Sequence, residues 1–224
     1  MPHLLAAVVF DFDGVILDSE TAEFESHRLI YERFGAVLTP EEWGDHVGVW
    51  TEGHEHFWCD RLREQCGRAP DAETFKAEQS QLFREIVPRE PMRGIRELLD
   101  LLADAGLPTA IASTSPARWV IPAIEQLGLR NRFQAIVTAG DVKRRKPAPD
   151  VYLEAARRLG VEPSRTVAIE DSGPGIASAN AAGMAIVAIP HWLTERHDLG
   201  PAMLRVSHAG ELTIDVLDRI INSS

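Results

Sequence analysis

Hydrophobic residues in this chain follow two rhythms. Five short runs, at residues 5–10, 109–112, 135–137, 166–169 and 185–189, are rich in Val, Ile and Ala. Continuous apolar runs of this length suit strands covered on both faces. Between them lie stretches with apolar residues spaced at 3.6, such as "GIRELLDLLADAG", "PARWVIPAIEQLGLR", "PDVYLEAARRLG" and "GPGIASANAAG". Several close on glycine, as helix C-termini often do. Strands alternating with helices at this spacing predict βαβ units and therefore an α/β fold, a doubly wound parallel sheet.

The alternation fails between about residues 17 and 86. No strand-like run occurs there. Helical patterns such as "TAEFESHRLIYERFG" and "TFKAEQSQLFREI" take its place, with polar breaks between them. The expected organisation is a core domain made of residues 1–16 and 88–224, interrupted after its first strand by a helical domain of residues 17–87. Charge supports the division. Residues 15–88 hold 16 acidic and 7 basic residues, a net −9, out of −11 for the whole chain.

That acidity argues against a nucleic-acid partner, which needs a basic footprint. No apolar stretch approaches the roughly 18 residues that span a bilayer, so no membrane partner is expected. Two cysteines, Cys59 and Cys66, make no disulfide framework and point to a reducing compartment. With no signal-like start, the expectation is a soluble cytoplasmic protein, monomeric at 224 residues.

Ligands of open parallel sheets sit outside the carboxyl ends of the strands, and the residues found there share one chemistry. Asp11 and Asp13 follow the first run, and Ser113, Thr114 and Ser115 the second. Lys146 lies beyond the third, and Glu170 and Asp171 follow the fourth. Acids, hydroxyls and a lysine suit a divalent cation beside an oxyanion. The bland reading of each is different: a solvated turn for the acids, a helix N-cap at Ser115 before Pro116, a solvated basic loop for Lys146, and a helix cap for "EDSGPG". Phosphoryl transfer explains their coincidence. A carboxylate attacking a phosphate dianion is repelled by about 1 kcal/mol at 4 Å in water but about 4 at an effective dielectric of 20. An oxygen-loving Mg²⁺ held by acids, with a lysine and hydroxyls on the phosphate, offsets that repulsion.

These motifs, "DFDGV", "IASTS", "KPAPD" and "AIEDSGPGI" in order, resemble those of the haloacid dehalogenase superfamily, in the branch with a small helical cap after the first strand. The resemblance spans about residues 6–189. It implies a Rossmann-like core, with Asp11 as a nucleophile that forms an aspartyl-phosphate and Asp13 as the acid and base that carries the proton. It also implies Mg²⁺ held by Asp11, the Asp13 carbonyl and Asp171, with Glu170 as a nearer or outer ligand, and phosphate held by Ser113 and Lys146 with Thr114 close by. An acid at position 13 implies phosphate esters rather than carbon–halogen bonds. Arg145 departs from the glycine often found before the lysine in the family.

The same branch includes β-phosphoglucomutases. There a cap histidine stands ten residues after the second aspartate, where this chain has Glu23, and an arginine follows a "GVS" turn, where this chain reads "GVWTEG". Hydrolysis of a small phosphorylated metabolite, a sugar or polyol phosphate, is therefore expected. The alternatives are a phosphomutase, which Lys76 keeps open, and a non-catalytic binding module. Glu23, Trp50 and Lys76 are the candidate substrate contacts in the cap. Trp43 and Trp58, like Trp119 and Trp192, are expected to pack. His54 and His56, two residues apart, face opposite sides of a helix and make a poor metal pair.

Overall fold

The computed structural model describes residues 4–47 and 54–223. Trp50, one of the candidate contacts, lies outside them. The chain divides into two compact units, Met1–Leu17 with Arg89–Ser224, and Asp18–Pro88.

The first unit is built on a parallel sheet of β1 (Ala7–Phe10), β2 (Thr109–Ala112), β3 (Ala135–Val137), β4 (Thr166–Glu170), β5 (Ala185–Ala188) and β6 (Leu204–Arg205). The strand order is β3-β2-β1-β4-β5-β6. β1 is central, with Val9 in register with Ala110 of β2 and Ala168 of β4. From β1 the chain builds outward through β2 and β3, then returns to build β4 to β6 on the other side. The carboxyl end of β1 is therefore the topological switch point, where such sheets leave a crevice for ligands. The first five strands are buried from end to end, which accounts for their largely apolar sequence.

Helices α5 (Ile95–Asp104), α6 (Ala117–Gln126), α7 (Asp150–Leu159), α8 (Gly173–Ala181) and α9 (Ile214–Asn222) flank the sheet. The strands begin and end within two residues of the apolar runs. The exception is β6, which no apolar run predicts: two residues, one half-buried and one exposed, leave too little pattern to see.

Ser115 does not cap α6. Pro116 occupies the N-cap position, and the Ser115 hydroxyl turns elsewhere. Trp192 is not a packing residue either. It is 46% exposed, because the loop after β5 buries His191 beside it instead.

The second unit holds α1 (Ser19–Arg33), α2 (Pro40–Gly44), α3 (His54–Cys66) and α4 (Ala72–Ile86). Asp18 and Asp71 cap α1 and α4 by accepting the N–H groups of Thr21 and Thr74, so part of the local acidity serves helix starts. Trp43 and Trp58 stack at 4.9 Å in its core against His27, which in turn packs on Phe75. His56 is exposed.

Candidate active site

The switch point collects its side chains from four strand ends of the first unit. Asp11 follows β1 directly, its N–H donating to the Ile169 carbonyl of β4 at 2.9 Å. Its Oδ1 accepts the Phe12 N–H at 2.7 Å and the Lys146 ammonium at 2.8 Å. Lys146 comes from the loop between β3 and α7. Its side chain is only 4% exposed, and Nζ also donates to Glu170 Oε1 at 2.6 Å. The basic loop of the bland reading thus buries its last cation between two carboxylates.

Glu170, the last residue of β4, is fully buried and holds five donors. Lys146 and the Tyr152 hydroxyl, at 2.5 Å, share Oε1. The N–H groups of Asp171 and Ser172 and the Ser172 hydroxyl reach Oε2. Several charge-assisted bonds of this kind compensate the desolvation of a buried carboxylate. The Tyr152 ring also lies 5.1 Å from Lys146 Nζ, close enough for a cation–π contact.

Two glycines make room for these acids. Gly14 has φ +78°, and a Cβ there would sit 2.3 Å from Asp171 Oδ2. A Cβ on Gly175 would sit 2.0 Å from the Glu170 carboxylate. The glycine of "DG" and the second glycine of "SGPG" are there because the carboxylates pack directly on their backbones.

Asp13 turns to the other flank of the sheet. Its Oδ2 accepts the Ser115 hydroxyl at 2.7 Å and, at 3.4 Å, that of Ser113. Its Oδ1 accepts the Trp119 indole N–H at 2.9 Å. Ser113 is buried, and its hydroxyl also receives the Ser115 N–H at 3.0 Å. Thr114 is half-buried, and its side chain makes no hydrogen bond among the described residues.

The electrostatics are those of crowded acids. Burial, then the Glu170 charge, pushes the Asp11 carboxyl up to about 7 against the pull of Lys146. Burial alone would lower Lys146, but Asp11 and Glu170 outweigh it and raise the ammonium above its usual range. Burial, reinforced by Glu170, raises the Tyr152 hydroxyl far above its own, so it acts as a donor.

Buried carboxylate oxygens of Asp11, Glu170 and Asp171 lie within 4.8 Å of one another. These are hard oxygen donors, and the raised Asp11 carboxyl shows that added positive charge is favoured there. The residues fit a Mg²⁺-like cation.

Asp11, Asp13, Ser113, Lys146, Glu170 and Asp171 are thus brought together in one unit, with Thr114 beside them. Glu23 and Lys76 belong to the other. There Glu23 accepts a hydrogen bond from Gln79 of α4 at 3.1 Å, and Lys76 is exposed on α4. Sequence reasoning missed the parts played by Ser115, Trp119 and Tyr152. The last two lie in the first turn of the helices that follow a site loop. Such a position faces the carboxyl edge of the sheet, and this was the available signal.

A family model described as haloacid dehalogenase-like hydrolase matches residues 5–183. The chain is 38% identical over 192 residues to a Bacillus subtilis protein named "Putative phosphatase YhcW", covering 85% of this chain and 86% of that one. It is 30% identical over 223 residues to the "Phosphorylated carbohydrates phosphatase" of Thermotoga maritima, covering 97% of each. Its structure is similar to a crystal structure of a Deinococcus radiodurans hydrolase with bound phosphate and sodium. That match has a TM-score of 0.76 at 26% identity and covers 98% of both chains.

Proposed function

Since the chain belongs to the haloacid dehalogenase-like hydrolases, we propose that it is a Mg²⁺-dependent phosphomonoesterase acting on a sugar or polyol phosphate through an aspartyl-phosphate. One observation carries the reading: the buried Lys146 ammonium bridges Asp11 and Glu170 at 2.8 and 2.6 Å, beside Asp171. The names of both relatives support a phosphatase, and that of the Thermotoga maritima relative supports the class of substrate.

In this mechanism Asp11 attacks phosphorus and the ester P–O bond breaks. The departing alkoxide takes the proton carried by Asp13. Water then attacks the phosphoryl group and gives its proton to Asp13, and the bond from Asp11 to phosphorus breaks to release inorganic phosphate. Lys146 and Ser113, with Thr114, hold the phosphoryl oxygens. Asp11, Asp171 and the Asp13 carbonyl would hold the cation, while Glu170, already accepting five donors, anchors the lysine from behind. When bound, Mg²⁺ would supply the positive charge that offsets repulsion between phosphate and carboxylate.

A screen of phosphorylated sugars and polyols tests this reading, with release of inorganic phosphate as the readout. Phosphate should be released from at least one of them in a Mg²⁺-dependent way. Bisphosphate-dependent conversion of β-glucose 1-phosphate to glucose 6-phosphate should be absent; its presence would establish the mutase instead. Mg²⁺ binding with no phosphate release from any compound would leave a binding module.

Cation binding should also depend on pH. Asp11 must lose its proton to serve as a ligand, so apparent Mg²⁺ affinity should rise by up to about tenfold per pH unit below 7 and level off above it. Thermal melts with and without Mg²⁺ should show a larger stabilisation at pH 8 than at pH 5.5. An equal shift at both would remove Asp11 from the ligand set.

A further inference from the structure

The contacts of Asp13 single out a residue with no role in the mechanism above. Trp119 lies in the first turn of α6, and its indole N–H donates to Asp13 Oδ1 at 2.9 Å while Ser115 Oγ donates to Oδ2 at 2.7 Å. The ring itself is fixed by an edge contact on Phe12, with centroids 6.2 Å apart and planes at 75°. Phe12 in turn donates its N–H to Asp11. An indole N–H can only donate, so this bond exists to hold an acceptor. An aspartate turns freely about two side-chain bonds unless something fixes it. Here both oxygens are gripped, one from the loop that leads into α6 and one from the first turn of that helix.

We propose that Trp119 is a positioning residue for Asp13, fixing its carboxylate for proton delivery and thereby setting which leaving groups the enzyme tolerates. The inference rests on the phosphatase reading, with Asp13 as the proton carrier. Proton transfer needs the carrier within hydrogen-bond reach of the departing oxygen, and small misplacements are costly. An alkoxide departs poorly without that proton. A nitrophenolate departs readily without it. Loss of the indole N–H therefore penalises alkyl phosphates selectively, whereas general loosening of the fold penalises both classes alike.

The experiment compares wild type with Trp119→Phe, which keeps an aromatic ring but removes the donor. The probes are p-nitrophenyl phosphate and whichever alkyl phosphate the screen shows to be turned over fastest. kcat/KM reports steps up to the phosphoenzyme, so the ratio of alkyl to aryl kcat/KM should fall about tenfold, a fraction of the total that acid catalysis contributes. Should Trp119→Phe fold poorly, site-specific incorporation of the benzothiophene analogue, with sulfur in place of N–H, preserves the ring shape and should lower the ratio equally. A ratio unchanged within twofold in a folded variant would overturn the positioning role. Failure of the wild type to hydrolyse either probe would instead overturn the phosphatase reading.

Discussion

Asp11→Asn should lower phosphate release by at least about 10⁴-fold and leave the fold intact. The amide is isosteric, and its oxygen can still accept the Phe12 N–H and the Lys146 ammonium. It cannot, however, attack phosphorus as a carboxylate does. The variant should also be more stable than the wild type in the absence of metal at pH 8. The Asp11 carboxyl rises from 3.8 to about 7 on folding. Between those values the native state holds more protons than the unfolded state, so wild-type stability declines as pH rises through that window. Asparagine has no such dependence, and the two melting curves should converge towards pH 4. Unchanged turnover in the folded variant would exclude Asp11 as the nucleophile. A variant less stable than the wild type at pH 8 would contradict the electrostatic account.

Lys146→Met should be the most damaging single change to stability. Methionine fills part of the stem but leaves Asp11 and Glu170 facing each other without the cation that joins them, in a site where the lysine is 4% exposed. Removing one partner from a buried ionic cluster costs about 3–5 kcal/mol. For a chain of this length that corresponds to a fall in Tm of roughly 10 °C. Activity should drop at least about 10²-fold, because phosphate loses its main charged contact. Adding Glu170→Gln to the same chain should restore much of the Tm and none of the activity, since it relieves the repulsion without replacing the ammonium. The melts require a chelator, so that bound cation does not mask the effect. A fall in Tm below about 2 °C would show that the cluster is not what holds these strand ends together.

Much of this site was legible in the sequence because strand ends were. The apolar runs mark β1 to β5, and once the strands are parallel, topology alone carries Asp11, Ser113, Lys146 and Glu170 to one edge. The ligating roles expected of these residues stay with the proposed mechanism. What was hidden depended on side-chain direction. Ser115 reads as an N-cap because serine before proline usually is one, yet its hydroxyl prefers the stronger acceptor on Asp13. Trp119 reads as a packing residue, and Tyr152 passes as one more position of a helical stretch, because periodicity registers an apolar ring and not the N–H or O–H at its edge. Trp192 misled in the opposite sense, since hydrophobicity alone does not say which residue of a loop turns inward. The short β6 had too few residues for any period to show.

The grip on the two aspartates has a consequence for how such a chain can diversify. Asp11 is wired through Lys146 and Glu170 to the loop after β3 and the end of β4, and Asp13 through Ser115 and Trp119 to the loop after β2 and the first turn of α6. Only Phe12 stands between them. Substitutions at Trp119 can therefore alter which leaving groups depart while the Lys146 and Glu170 contacts behind Asp11 stay in place. Two neighbours in sequence have become separately inheritable settings, and a lineage can change its diet by editing one flank of a sheet.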